Sequence, residues 1–316
     1  MFQGFEASWP HLIACKQSPD LIAPEQAYED SMLKATVSIV DSLGKQVFAK
    51  RWPRLSVRWG IEFDDDPNAF VYRSEDGHVH VVLTSGACGL MAEVGAFVAS
   101  DQWLVRYLYP LRFAQAPPRS FTTKHAGEAA QMLGLAALFG HELGHALDLH
   151  YVDAKSGRDR DAPLAEEISA DGHAILAGLA IVDAWAFDLA QRGAHSETDF
   201  RRLGATLLVL ANTVMDDLEF GASWNGAPDQ THPPGVQRLM AACVHLNDHF
   251  EKIDSGVGID IFEDAIIALS AMGIYKGPVG GEAVELFFAD YDPEVINRQY
   301  EVIKNMIDER RRSTEI

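Results

Sequence analysis

The residues with the clearest chemical potential are His141, Glu142 and His145, in the sequence His-Glu-Leu-Gly-His. On a helix, positions four apart lie on one face, so both imidazoles can reach a single ion. Glu142 lies beside that ion and can take a proton from an attacking water. The pattern is typical of a metal-dependent hydrolase. A structural histidine pair with satisfied hydrogen bonds is the alternative explanation.

A catalytic zinc ion takes three protein ligands and keeps one open position, so a third ligand must lie elsewhere. The metzincin pattern would place a histidine ten residues after His141, but that position holds Tyr151. Downstream, Glu166, Glu167 and Asp171 lie in an Ala-rich helical run, and a carboxylate there can close the site. Asp171 comes one turn after Glu167, and could accept the distal N–H of a ligand histidine. The alternative for Glu167 is an ordinary charge at a helix N-terminus.

Four motifs, in this order along the chain, resemble the gluzincin peptidases of the HtpX and CaaX prenyl protease type. Together they span roughly residues 68–238, a little over half the chain. They are Asn68-Ala69-Phe70 with the segment 77–86, then His141-Glu-x-x-His145, then Glu167-x-x-Ala170-Asp171, and last Thr231-His232-Pro233-Pro234 with Arg238.

The resemblance implies a role for each matching residue. His141, His145 and Glu167 would bind one zinc ion, and Glu142 would be the general base. Asp171 would orient a ligand histidine. The late motif would place two more side chains at the cleft, His232 stabilising the oxyanion and Arg238 lying nearby. A rigid helix start is the alternative explanation of the His232-Pro233-Pro234 sequence.

The resemblance also implies a strand at the edge of a sheet that pairs with an extended substrate. Backbone hydrogen bonds would then hold a peptide across the metal without reading its sequence. The residues assigned to this edge strand are Asn68, Ala69, Phe70, Val79 and Val81.

The elements that must position these residues follow from hydrophobic periodicity and turn signals. Strands are predicted at Leu55–Phe63, Ala69–Arg73 and His78–Thr84, and helices at Pro24–Leu43, Gly89–Tyr109, Gly127–His150 and Leu164–Gln191, with further helices between 199 and 311. Early strands followed by helices predict an α+β protein with helices on one face of a small sheet. The resemblance implies a zincin-like (gluzincin) fold, mostly helical, with a small mixed sheet packed on the helix that carries His141.

The predicted organisation is one metallopeptidase domain over residues 1–316. Its core would cover about 55–253, with an N-terminal helical segment, 1–54, and a C-terminal helical extension, 254–316. The stretch 88–125 is longer than the family pattern. It carries the aromatic residues Trp103, Tyr107, Tyr109 and Phe113, which could form a lid or a partner surface.

Composition narrows the partners and the compartment. The chain has 46 acidic and 26 basic residues and a formal charge of −20, which disfavours binding to nucleic acid or anionic lipid. Three dispersed cysteines indicate no disulfide framework and favour a reducing, cytoplasmic setting. The first 15 residues show no secretory pattern, and charges interrupt the apolar stretches, so we expect no membrane span.

The function predicted from these features is zinc-dependent hydrolysis of peptide bonds in a protein or peptide substrate. Two alternatives remain open. One is a selective metalloprotease that cuts a single target, as a toxin or a phage-defence factor would. The other is a non-catalytic binding module that zinc stabilises. The sequence does not determine the oligomeric state or the cleavage site.

Overall fold

A computed structural model describes residues 1–15, 20–74, 77–100, 123–148, 162–192 and 201–208, together with positions 242, 245, 246, 249 and 250. The elements, in chain order, are α1 (Phe5–Cys15), α2 (Pro24–Glu29), α3 (Ser31–Leu43), a π-helical turn (Gly44–Phe48), α4 (Ala49–Arg51), β1 (Val57–Glu62), β2 (Ala69–Arg73), β3 (Val79–Thr84), α5 (Ser85–Ser100), α6 (Thr123–Asp148) and α7 (Ala162–Arg192). Residues 201–208 are also helical. The mostly helical α+β class predicted from the sequence is confirmed.

The three strands form a mixed sheet in the order β1-β3-β2. β3 is central: it runs parallel to β1, with Val57 opposite Val79, and antiparallel to β2, with Ala69 opposite Leu83. Isolated bridges from Phe2 and Leu21 cover the outer side of β1. Among the described residues, β2 is therefore the strand with an open edge.

Helices cover both faces of this sheet, so the expectation that they cover only one face is wrong. On one face, the Trp59 ring packs edge-on against Phe139 of α6, with ring centres 6.1 Å apart. On the other face, a Cβ added at Gly60 would lie 2.7 Å from Leu12 of α1. The short N-terminal helix packs there because Gly60 leaves room for the fully buried Leu12.

Local signals explain where the helices begin, and one of them corrects the single helix predicted over Pro24–Leu43. Asp30 interrupts that stretch as the N-cap of α3. Its side chain accepts hydrogen bonds from the backbone N–H groups of Met32 (2.8 Å) and Leu33 (3.0 Å). An aspartate satisfies the unpaired N–H groups at a helix start, so it ends α2 and begins a new helix.

The described part of the first 54 residues contributes side chains to the same hydrophobic core as the sheet and the long helices. Asp41 of α3 connects this helix to both α1 and β1. One of its carboxylate oxygens accepts a hydrogen bond from the backbone N–H of Phe5 (3.0 Å) and another from the indole N–H of Trp59 (2.9 Å). The N-terminal helices are thereby tied directly to β1, the strand that packs on α6.

The two long helices, α6 and α7, approach closely because small residues meet at their contact. A Cβ added at Gly144 would lie 2.8 Å from the Cα of Ala170. One added at Gly140 would lie 3.1 Å from the Cα of Ala174. Gly140 and Gly144 lie on either side of His141 in sequence, so the close approach of the two helices brings His141 within reach of Asp171 on α7.

One stretch of α7, Ser169–Asp188, is long and apolar enough by length and composition to cross a membrane. Its most apolar window is 61% buried inside the protein, as is usual for a core helix. It also carries the fully buried Asp171. The absence of a membrane span stays a prediction.

Several predicted features lie outside the described residues. These are residues 101–122, which include the aromatic part of the 88–125 stretch, the late motif with its candidate cleft residues His232 and Arg238, and the extension 254–316.

Candidate metal centre

His141 is held by a buried carboxylate on the neighbouring helix. Its Nδ1 lies 2.9 Å from Oδ1 of Asp171, which is fully buried. An ionised carboxylate only accepts hydrogen bonds, so the Nδ1–H of His141 donates and its Nε2 keeps a lone pair. The imidazole is thus fixed in the tautomer and orientation that a metal ligand needs.

His145, one turn further along α6, faces the same point. Its Nε2 lies 2.9 Å from the Nε2 of His141, and the two rings stand nearly perpendicular, at 86°. From α7, the carboxylate of Glu167 reaches both imidazoles. Oε2 lies 3.4 Å from the Nε2 of His141, and Oε1 lies 3.5 Å from the Nε2 of His145. One atom from each of the three residues lies within 4.8 Å of the others, and this group could hold a metal ion.

The donor set and its spacing suit a tetrahedral ion. Bonds of about 2.0–2.1 Å from zinc to nitrogen and oxygen imply ligand atoms roughly 3.3–3.4 Å apart. The two distances from Glu167 to the imidazoles match this separation closely. The 2.9 Å between the two imidazole nitrogens is a few tenths of an ångström shorter, so the rings would open slightly around an ion. The residues present therefore fit a zinc site with three protein ligands.

The three candidate ligands are largely but not completely shielded from solvent. The side chains of His141, Glu167 and His145 are 12%, 14% and 19% exposed. Glu142, between the two histidines in sequence, is 6% exposed and counts among the buried polar residues. The three side chains thus keep a small part of their surface accessible, while most of it is removed from water. This favours strong electrostatic interactions inside the site.

Two of the five residues assigned to a substrate-binding edge strand are misplaced. Val79 and Val81 lie on the central strand β3, and the Val79 N–H donates to the Ser56 carbonyl beside β1 (2.8 Å). Their backbone groups point towards β1 and are used within the sheet. The hydrophobic pattern of a single strand does not encode the order of strands in a sheet, so it could not show that β3 is central.

On β2, which does lie at the edge, the hydrogen-bonding alternation corrects the assignment further. The Thr84 N–H donates to the Asn68 carbonyl (3.0 Å), and the Ser74 N–H donates to the His78 carbonyl (3.0 Å). Antiparallel pairs alternate, so Asn68 and Phe70 face β3 with their backbone groups, while Ala69 and Val71 face the open edge. The Ala69 N–H is already bonded to the Asn68 side chain (2.7 Å). Val71 is the edge residue that the sequence reasoning missed.

Some residues that pack beside the candidate ligands on α6 and α7 were not predicted from the sequence. Gly144 and Gly140 set the close approach of α6 to α7, and their four-residue spacing was a readable signal. His245 is buried, and a Cβ added at Gly172, next to Asp171, would lie 2.4 Å from its Nε2. No local pattern links His245 to a residue more than 70 positions earlier.

No protein-family model, curated protein or solved structure shows a significant match to this chain. The likeness to gluzincin peptidases therefore depends on the motifs alone.

Proposed function

We propose that this chain is a zinc-dependent endopeptidase with a zincin fold, similar to the gluzincin peptidases. The observation that carries the proposal is the meeting of His141, His145 and Glu167 from two helices, with a buried carboxylate behind His141. A purely structural histidine pair does not require a carboxylate that contacts both Nε2 atoms. In a zinc site with two histidine ligands, that carboxylate is the third protein ligand.

Zinc is the ion that the donor set favours, because two imidazoles and one carboxylate are the ligands of catalytic zinc in hydrolases of this type. When bound, it supplies a Lewis acid that polarises a carbonyl and lowers the pKa of water towards about 7. His141, His145 and Glu167 would hold the ion. Asp171 keeps the Nε2 of His141 available to it.

Glu142 is the general base. It lies between the two ligand histidines on α6 and is almost completely buried, so bulk water does not compete strongly for its carboxylate. It takes a proton from the water that attacks the peptide carbonyl. It then delivers that proton to the amine nitrogen as the carbon–nitrogen bond breaks, which returns Glu142 to its ionised form.

The open edge of β2 is the place where the substrate backbone would pair. β2 packs against α6, the helix that carries the metal ligands. The N–H and C=O groups of Val71 point to the open edge of the sheet, in its plane, where an extended peptide can add as a further strand. Recognition through the backbone explains how such an enzyme would accept varied sequences.

The experiment that tests this function measures cleavage of denatured casein by the full chain, with zinc and with a chelator. Glu142→Gln should bind zinc as the wild type does and lose hydrolysis, since only the proton acceptor changes. Full activity in Glu142→Gln would remove it from the reaction. Stabilisation by zinc without cleavage of any substrate would favour the non-catalytic binding module instead.

A further inference from the structure

A groove of about 900 Å³ lies between the helical rod formed by α3, the π-helical turn and α4, and the second half of α7. This volume is within the range of small-molecule sites in proteins. Its floor is apolar and made of buried or half-buried side chains, namely Ile39, Leu43, Val47, Met132 and Ile181. On the α7 side, the rim is formed by the small exposed residues Ala180 and Ala184.

The groove is long and polarised. Its lining on the helical rod runs from Ser38 to Arg51, which is about 20 Å at the rise of a helix. At the far end lie two cationic side chains, Lys50 and Arg51. The Arg51 guanidinium lies 5.8 Å from the ring centre of Trp52. In the part of the chain that the structure describes, neither cation has a carboxylate partner.

Two adjacent cations with no acidic partner among the described residues are unusual in a chain that carries a formal charge of −20. They lie at one end of a groove that has an apolar floor and, on the side of the helical rod, a polar rim of Ser38, Ser42 and Gln46, so the groove combines a positive end with a hydrophobic floor. A ligand that complements both features has a single negative charge at one end and an aliphatic chain behind it.

We propose that this groove binds a single-chain aliphatic carboxylate, a medium-chain fatty acid, with its chain on the apolar floor and its carboxylate at Lys50 and Arg51. Burial of the methylene groups supplies most of the affinity. The two cations fix the direction in which the chain lies and select an anion.

This site is separate from the candidate metal centre. Ala180 comes 13 residues after Glu167 on α7, which is about 20 Å along the helix axis. The proposal therefore does not depend on the zinc chemistry. It can be tested with zinc present or absent.

The test measures binding of dodecanoate to the full chain by equilibrium dialysis, below the concentration at which the probe forms micelles. We expect one dodecanoate per chain. Ala184→Trp, which fills the groove from its exposed rim, should weaken binding at least about tenfold. The double variant Lys50→Glu/Arg51→Glu should do the same, because tenfold is only about 1.4 kcal/mol and the carboxylate would then meet two like charges.

The control variant is Lys45→Glu, which reverses the charge of one cation on the π-helical turn outside the groove lining, and it should leave binding unchanged. If Ala184→Trp does not fold, the double variant still tests the proposal, because it alters only exposed side chains. Three results would overturn the proposal. The first is the absence of dodecanoate binding, and the second is wild-type affinity for dodecanoate in both groove variants. The third is an affinity for the cationic probe dodecyltrimethylammonium equal to that for dodecanoate.

Discussion

Asp171 and His141 are joined by a hydrogen bond of 2.9 Å between two helices, although they are 30 positions apart in sequence. Asp171 is completely buried, and the bond fixes which nitrogen of His141 carries the proton. It is therefore the contact that turns a histidine on α6 into a candidate metal ligand. It also shows that α7 contributes to the site twice, through Asp171 and through Glu167 one turn earlier.

Asp171→Ala should weaken zinc binding about 10- to 100-fold, because His141 loses the acceptor that fixes its tautomer. Asp171→Asn should have a smaller effect, since it keeps the shape and a neutral acceptor. Competition with a chromophoric zinc chelator measures both affinities. Wild-type affinity in both variants would show that Asp171 does not support the ligand.

Gly144→Ala should destabilise the fold by about 1–3 kcal/mol and weaken zinc binding as well. A Cβ at this position lies 2.8 Å from the backbone of Ala170 and 3.1 Å from the Cβ of His173, so α6 and α7 must move apart. Urea denaturation and zinc titration check the two effects.

Gly89→Ala is the matched control for this change. Gly89 lies within α5, and a Cβ there meets nothing within 4 Å. The substitution should be neutral or stabilise the protein by up to about 1 kcal/mol, through helix propensity alone. If both variants behaved alike, the close approach of α6 and α7 would not be what holds the site together.

Much of the candidate metal centre can be predicted from residue spacing within single helices. His141 and His145 are four residues apart, as are Glu167 and Asp171, so each pair shares one helix face. The strand segments are equally readable, and β2 has the predicted bounds, Ala69–Arg73. These predictions succeed because each depends on a period that is written along a continuous stretch of chain.

What the sequence could not provide are relationships between distant segments. The order β1-β3-β2 puts Val79 on the central strand and Val71 on the edge strand. The residue pattern within each strand does not reveal which of the two strands is central. The hydrogen bonds between Asp41 and both Phe5 and Trp59 are likewise long-range. Because the sequence pattern does not show them, it predicts the N-terminal helices as a separate segment. Packing, not periodicity, determines these contacts.

Val71→Pro should lower the cleavage of extended peptides while leaving zinc binding intact. The Val71 N–H points to the open edge, so proline removes a donor for substrate without removing a bond to β3. Val71→Ala keeps the N–H and is the control. The comparison of kcat/KM for the two variants measures the effect, and equal values would mean that substrate does not pair with β2.

Asp183 provides a prediction about acid stability. Burial alone would raise the pKa of its carboxyl, but this is outweighed by His249, at 3.1 Å, and Arg201, at 2.8 Å, and the pKa is lowered overall. A carboxyl whose pKa is lower in the folded state stabilises the fold above its unfolded pKa. That contribution is lost as pH falls through the folded value.

Asp183→Asn should therefore reduce the free energy of unfolding near pH 7 by about 1 kcal/mol, as expected for a partly exposed ion pair. The difference from wild type should shrink below about pH 4, where the wild-type carboxyl also becomes neutral. Urea denaturation between pH 7 and pH 3, with a chelator present, measures it. A difference that stays constant across this range would contradict the assignment.

X-ray absorption at the zinc edge of the zinc-loaded full chain tests directly whether His141, His145 and Glu167 bind one zinc ion. We predict one zinc per chain with four nitrogen or oxygen ligands at about 2.0–2.1 Å, including two imidazoles. Glu167→Gln should lose zinc occupancy or change this spectrum, whereas Glu166→Gln should not. A sulfur ligand, a single imidazole, or a spectrum unchanged in Glu167→Gln would contradict a site built from His141, His145 and Glu167.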